Sequence, residues 1–171
     1  MKRLLMLVFG LILVITSCNG PNIYSSADQM VNEAMRMVKL ITVNELKQLM
    51  ESEEIYTLID VRQKSEHYYG YIPGALVIPR GSIEFQIGDE AFWENEGLYM
   101  PLKEEKIVVY CKKGSRGILA AETLKKLGYE DVVALDGGWK KWELSYPDLY
   151  EKNLEMLSGG GAEEHDDGGG C

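Results

Sequence analysis

The sequence has few of the residue types that make disulfide frameworks, metal sites and nucleic-acid interfaces. Its 171 residues include three cysteines and two histidines. Basic residues number 18 against 27 acidic ones, so the formal net charge is -9. Nucleic-acid phosphates require a basic protein face, so this charge balance argues against a nucleic-acid partner. Three cysteines are also too few for the dense disulfide network of small secreted domains.

The first residues predict a targeting segment rather than part of the fold. Lys2 and Arg3 precede an unbroken apolar run over residues 4–15. That run has the length of a signal-peptide core and is shorter than the roughly 20 residues that span a bilayer. The following "ITSC" resembles the lipobox of bacterial lipoproteins, which implies a signal peptide over 1–17 and lipidation of Cys18. A plain secretory signal that is cleaved elsewhere is the alternative.

The lipobox resemblance implies an exported protein, held on a bacterial membrane only by its lipid and facing the periplasm or the cell exterior. Lipidation of Cys18 would leave two thiols, Cys111 and Cys171. Two thiols do not form a disulfide framework, so Cys111 is expected to have another purpose. Cys171 is a candidate second thiol that returns to Cys111, and a purely solvated tail is the alternative.

The rest of the chain predicts one α/β domain between short flanking segments. Residues 18–25 predict a tether, and residues 26–40 predict a helix that packs on the domain, with Ser26 and Gln29 spaced as a capping box. Over 41–147, β-branched runs at 55–61, 75–79, 107–110 and 131–135 alternate with amphipathic helices, the first of which begins at a capping box of Thr42 and Glu45. This alternation indicates a parallel sheet. A last helix is expected over 148–157. Residues 158–171, acidic and rich in glycine, are expected to be disordered.

Cys111 directly follows a predicted strand over 107–110 and begins the segment "CKKGSRG". Functional loops of parallel sheets lie at the carboxyl ends of strands. The loop N–H groups and the dipole of the following helix favour a negative charge at this place. Lys112, Lys113 and Arg116 add three cations within six residues. A reactive thiol is therefore predicted; an inert buried cysteine is the alternative.

Three segments, in this order, resemble the motifs of the rhodanese domain across most of 41–147. They are "DVRQKSEHYYGYIPGALVIPRG", "CKKGSR" and "LDGGWKKW". The resemblance implies a rhodanese-like fold, a five-stranded parallel sheet flanked by helices on both faces. It also implies sulfurtransferase chemistry, in which the cysteine takes a sulfane sulfur from a donor, becomes a persulfide and passes the sulfur on. His67 and Tyr71 depart from the usual motif, but neither is at the nucleophile's position.

Roles are predicted for several groups of residues around the site. Cys111 is the nucleophile, and the loop that binds substrate and persulfide consists of Lys112, Lys113, Gly114, Ser115 and Arg116. Asp60 and Arg62 are expected to brace loops around the site. Arg80 is expected at the pocket rim, with an ordinary surface pair to Glu84 as the alternative. Gly137 and Gly138 are expected to allow a neighbouring loop to approach closely, with Trp139 and Trp142 beneath.

The implied partners are a small sulfur-containing anion such as thiosulfate and a thiol acceptor, either a small molecule or a thioredoxin-like protein. No cofactor and no metal are predicted. Two other functions stay open: a non-catalytic binding module and a small cysteine phosphatase. Cysteine phosphatases place an arginine six positions after the nucleophile, whereas Arg116 comes five after Cys111 and Gly117 holds the sixth position. The shorter loop favours sulfur.

Overall fold

The computed structural model describes residues 23–158, which contain five strands and eight helices. The strands are β1 (Lys39–Ile41), β2 (Tyr56–Asp60), β3 (Leu76–Val77), β4 (Lys106–Tyr110) and β5 (Val132–Leu135). The helices are α1 (Ala27–Ala34), α2 (Val43–Met50), α3 (Lys64–Tyr68), α4 (Ile83–Gln86), α5 (Glu90–Asn95), α6 (Ser115–Lys126), α7 (Gly138–Ser145) and α8 (Leu154–Leu157). The predicted signal peptide, Cys18 and Cys171 lie outside the described residues.

The strands form one parallel sheet in the order β1-β5-β4-β2-β3. The central strand β4 is the apolar run "KIVVY", which is buried almost throughout because helices cover both faces of the sheet. On one face, Ala34 of α1 and Leu124 of α6 belong to the buried cluster. On the other face, Leu46 of α2 and Trp142 of α7 do so. The predicted α/β architecture of five parallel strands is confirmed.

The helix predicted over 26–40 is too long. Ser26 caps α1 as expected, since its side chain accepts a hydrogen bond from the Gln29 N–H, but the helix ends at Ala34. Residues 39–41 form the edge strand β1, which pairs with β5. Pairing with β5 gives the backbone of these residues hydrogen-bond partners in the sheet, and this tertiary contact overrides the helical spacing of the apolar residues.

The helix predicted over 148–157 is also too long, because only α8 is helical there. Before it, Glu151 pairs in an antiparallel bridge with Tyr71, and Leu149 packs on the core. The backbone of this segment therefore bonds to the loop after α3 instead of to itself. Within residues 23–158, no helix is both long and apolar enough to cross a membrane.

Candidate active site

Cys111 lies directly after β4, at the carboxyl edge of the sheet, in the four-residue turn that leads into α6. The residue is only 1% exposed. The N–H of Gly114 donates a hydrogen bond to the Cys111 sulfur, with 3.2 Å between nitrogen and sulfur. Gly114 has φ 108, a left-handed value that favours glycine, so the residue type at this position permits the turn. The sulfur thus sits beside a backbone donor near a helix N-terminus.

The first residues of α7 form backbone hydrogen bonds with the Cys111 turn. The N–H of Trp139 donates to the carbonyl oxygen of Cys111 at 2.8 Å, and the N–H of Lys140 donates to that of Lys112 at 3.0 Å. Gly138 makes this contact possible: a Cβ atom there would lie 2.2 Å from the Cys111 carbonyl oxygen. Gly138 therefore lies in close contact with the Cys111 turn, whereas a Cβ atom at Gly137 would meet the Lys141 side chain.

Arg116, the second residue of α6, is bound by a carboxylate that the sequence analysis did not single out. Its two terminal nitrogens donate to the two carboxylate oxygens of Glu66 at 2.9 and 3.0 Å. The hydrogen bond from Arg116 holds the pKa of Glu66 below its usual value, and partial burial opposes this. The pair with Glu66, and to a smaller extent the charge of the Cys111 sulfur, raises the pKa of Arg116. Arg116 is therefore held by Glu66 of α3 at the start of the helix that follows the Cys111 turn.

Asp60 and Arg62 form a buried ion pair beneath this site, with 2.6 Å between Arg62 Nη2 and Asp60 Oδ2. Arg62 also donates to the carbonyl oxygens of Glu66 at 3.3 Å and Gly70 at 2.7 Å. His67 Nδ1 lies 3.0 Å from Asp60 Oδ2. Burial alone would raise the pKa of Asp60, but the hydrogen bonds from His67 and Arg62 and the Arg62 charge outweigh it and lower that pKa.

The Arg62 guanidinium also lies over two aromatic rings, 5.0 Å from the Trp139 ring centre and 5.6 Å from that of Tyr110. Cations attract the faces of such rings. Asp60, Arg62 and His67, hereafter the brace, therefore connect the end of β2 to α3 and to the start of α7. His67 is a member of the brace; among the described residues, no group of three potential ligands could hold a metal ion.

The surface ion pair of Arg80 with Glu84, the alternative in the sequence analysis, is not formed. Within residues 23–158, Arg80 has no ion pair. Its backbone N–H donates to the carbonyl oxygen of Val61 at 3.1 Å. Its Nε is buried and has no hydrogen-bond partner there.

A cavity of about 330 Å³ opens beside the Cys111 turn. Its walls carry charges of both signs and two aromatic rings, from Arg62, Glu66, Tyr69, Lys112, Trp139, Lys140 and Glu143. Lys112, Lys113 and Ser115 are exposed, whereas Gly114 and Gly117 are buried. A Cβ atom at Gly117 would lie 3.4 Å from the backbone of Cys111, so α6 packs tightly against the end of β4.

Known proteins resemble the part of the chain that contains this site. The family model of the rhodanese-like domain matches residues 42–145. A mitochondrial protein of Schizosaccharomyces pombe, provisionally named a thiosulfate sulfurtransferase, is 38% identical over 87 residues, which cover 50% of this chain and 61% of that protein. The human thiosulfate:glutathione sulfurtransferase is 33% identical over 105 residues, which cover 60% of this chain and 90% of that protein.

A solved structure shows the same fold. The human single-domain sulfurtransferase superposes with a TM-score of 0.58 at 31% sequence identity, covering 61% of this chain and 95% of that one.

Proposed function

The chain belongs to the rhodanese-like domain family, and from this premise we propose that it is a sulfurtransferase that moves sulfur through a persulfide on Cys111. The observation that carries the proposal is the Cys111 turn: a thiol at a strand end, with a backbone N–H on its sulfur and Arg116 beside it. Its relatives include proteins named as sulfurtransferases.

The proposed reaction has two displacement steps. With thiosulfate as donor, the Cys111 thiolate attacks the outer sulfur, the S–S bond of thiosulfate breaks, and sulfite leaves with the electron pair. In the second step a thiolate or cyanide attacks the terminal sulfur of the persulfide, and Cys111 departs as thiolate. Electrons balance across the two steps, so no external oxidant or reductant is required.

The residues of the site stabilise the anion present at each stage. The Gly114 N–H and the N-terminus of α6 favour negative charge on the sulfur, as thiolate or as persulfide. The Arg116 guanidinium adds a positive charge near the same sulfur and is oriented by Glu66. Because Cys111 is almost completely buried, these fixed donors replace the water that would otherwise solvate the anion.

We propose a thiol as the natural acceptor. The name of the human relative couples thiosulfate to glutathione, a thiol. The cavity beside the turn has both charge signs on its walls, as a small zwitterionic thiol or a polar segment of a thioredoxin-like protein would require. The lipid anchor at Cys18 and the exported location are proposals that follow from residues 1–18. Mass spectrometry of the N-terminal peptide from the membrane fraction tests them: an unmodified Cys18 would contradict the anchor.

The test of the proposed function is thiocyanate formation from thiosulfate and cyanide by the full-length chain in detergent, with Cys111→Ser as the control. Mass spectrometry after exposure to thiosulfate should show one added sulfur atom on Cys111, removed again by cyanide. If reduced protein gains no sulfur from thiosulfate or from an organic persulfide, the domain is a binding module. Cys111-dependent hydrolysis of p-nitrophenyl phosphate would instead indicate a phosphatase.

A further inference from the structure

We infer that Arg80 binds the anionic group of the sulfur donor, which makes that donor a small sulfur oxyanion; the inference rests on the sulfurtransferase function proposed above. A donor such as thiosulfate enters as an anion and leaves behind sulfite, also an anion. Cys111 is only 1% exposed, so water contributes little to solvating a charge beside it. A charge removed from water requires a cation or strong hydrogen-bond donors at that place.

The other cations around the site already donate to carboxylates of the protein or are exposed. Arg62 is paired with Asp60 and donates to two carbonyl oxygens. Both terminal nitrogens of Arg116 donate to Glu66. Lys140 is paired with Glu143 at 3.1 Å. The two remaining loop cations, Lys112 and Lys113, are exposed, where water and salt screen their charge.

Arg80 is the exception among the arginines near this edge of the sheet. Its Nε is buried, and its side chain makes no hydrogen bond or ion pair with any residue of the 23–158 segment. A buried donor without a partner in the protein is rare and indicates a group that can bind a ligand. A donor anion that occupies the site during turnover supplies that partner.

The position of Arg80 suits this role. Its N–H donates to the carbonyl oxygen of Val61, and the N–H of Val61 donates to the carbonyl oxygen of Tyr110, the residue before Cys111. Arg80 therefore lies at the same edge as Cys111, with one chain segment between them. Neighbouring segments of a sheet lie about 5 Å apart, so an extended arginine side chain and a small donor together bridge this separation. Ile78, two residues before Arg80, packs in the same buried cluster as Cys111.

The chemistry of the guanidinium determines the class of ligand. It presents planar, paired N–H donors that match two oxygens of an oxyanion, and it stays charged at every physiological pH. A sulfonate or sulfite group offers such oxygens, whereas an alkyl persulfide offers none. Arg80 should therefore favour thiosulfate-type donors over donors without oxyanion oxygens and should act in loading of Cys111, before transfer to the acceptor.

Steady-state and half-reaction kinetics of the full-length chain test this role. Arg80→Gln should raise the KM for thiosulfate about tenfold or more, the usual effect of removing a charge-assisted contact to a ligand. Arg80→Lys should recover part of that loss. Loading of Cys111 from an alkyl persulfide without oxyanion groups, whose outer sulfur passes to Cys111 as the alkyl thiolate leaves, and discharge of the resulting persulfide to cyanide, should be unchanged. The matched control is Arg36→Gln, which removes an exposed arginine paired with Glu33. Equal thiosulfate KM values in Arg80→Gln and wild type would overturn the inference.

A second measurement does not depend on turnover. Sulfite should slow alkylation of Cys111 by iodoacetamide, and in Arg80→Gln about tenfold more sulfite should be needed for the same protection. Arg80→Gln should also keep the wild-type Tm, because it removes a donor that has no partner in the protein. Equal sulfite protection in both proteins, or a lower Tm with an unchanged KM, would make Arg80 a structural residue. If the wild-type chain never loads sulfur but shows Arg80-dependent protection, the proposed function fails and the anion site stands.

Discussion

The brace and the Cys111 turn lie at the same strand ends, where Arg62 and Lys112 line one cavity, and they use their polar groups differently. In the brace, the Asp60 carboxylate accepts from Arg62 and His67, and Arg62 donates to three different residues. In the turn, the sulfur accepts one backbone hydrogen bond, and two of the flanking lysines are exposed. The polar groups of the brace form their hydrogen bonds within the protein, whereas those around the sulfur can still bind a ligand.

Two residues connect the brace to the turn. The Glu66 carbonyl accepts from Arg62, and its carboxylate accepts from Arg116. The Trp139 ring lies beneath the Arg62 guanidinium, and its backbone N–H donates to the Cys111 carbonyl oxygen. The comparison therefore predicts that substitutions in the brace reduce mainly stability, that those at Glu66 and in the turn reduce mainly activity, and that a substitution at Gly138, where α7 packs on the turn, reduces both.

The largest effect is expected for Gly138→Ala, which moves the turn itself. The new Cβ would lie 2.2 Å from the Cys111 carbonyl oxygen at a left-handed φ of 57. Overpacking and left-handed strain together should destabilise the fold by at least about 3 kcal/mol. The displaced sulfur should lower kcat/KM for sulfur transfer about a hundredfold. Urea unfolding and thiocyanate formation measure the two effects.

Gly97→Ala is the matched control, because Gly97 has φ 69 and no atom within 4 Å of its Cβ position. It should show only the left-handed strain of about 1–2 kcal/mol, with unchanged kcat/KM. Equal losses in the two variants would mean that strain, and not contact with Cys111, sets the requirement for glycine at position 138.

Asp60→Asn separates stability from activity in the brace. The substitution leaves the buried Arg62 charge without its counterion, which should lower the free energy of unfolding by about 3–5 kcal/mol. Turnover per folded molecule should fall far less than in Gly138→Ala, because the Cys111 turn keeps its own contacts. Asp131→Asn, at a half-exposed carboxylate paired with Lys106, is the control and should cost less than about 1 kcal/mol. Similar destabilisation in both variants would contradict a special role for the brace.

Glu66→Gln tests the connection through Arg116. Without the carboxylate, the guanidinium loses its bidentate partner and its fixed orientation beside the sulfur. We expect kcat/KM to fall about tenfold, as for one charge-assisted hydrogen bond. The free energy of unfolding should change by less than about 1 kcal/mol, since the pair is partly exposed. Glu33→Gln, which breaks the exposed pair with Arg36, should change neither quantity. A purely structural Glu66 would lose stability without losing kcat/KM.

Acid should weaken the fold through the same carboxylates. The pKa values of Asp60 and Glu66 are lower in the folded protein than their usual values. The unfolded chain therefore binds their protons at a higher pH than the folded chain does. Their stabilisation is complete above the ordinary carboxyl pKa of about 4 and is lost as the pH falls through the lower folded values. Urea titrations between neutral and strongly acidic pH should show this loss, with a shallower slope in Glu66→Gln than in wild type; parallel slopes would contradict the contribution of Glu66.

The parts of the fold that the sequence predicts are those with long, local patterns. The β-branched runs predict the strands β2, β4 and β5 to within about two residues, because strands buried on both faces are continuously apolar. The capping box of Thr42 and Glu45 locates the start of α2, and both of its hydrogen bonds are present. The three-residue strand β1 was missed, since a segment that short has no distinguishable period and becomes a strand only through pairing with β5.

The candidate site likewise has parts that the sequence predicts and parts that only the fold reveals. The position of Cys111, and the need for glycine at 138, follow from the order of the motifs. The partner of Arg116 does not, because Glu66 lies 50 positions away and only the fold brings the two together. The missing partner of Arg80 is likewise visible only in three dimensions. Sequence can name charged residues, but it cannot tell which charges the fold neutralises.

The smallest effect is expected for the double substitution Lys112→Gln with Lys113→Gln. Both side chains are exposed, where water and salt screen a unit charge strongly. The KM for thiosulfate should therefore rise less than about threefold at 0.15 M salt and more at low salt, since only long-range attraction of the donor is reduced. Stability should not change. This result would place donor binding on Arg80 and leave the exposed lysines a steering role. A tenfold rise in KM that salt does not reduce would mean that the lysines contact the donor directly, and the exposed side of the turn would then share the work assigned to Arg80.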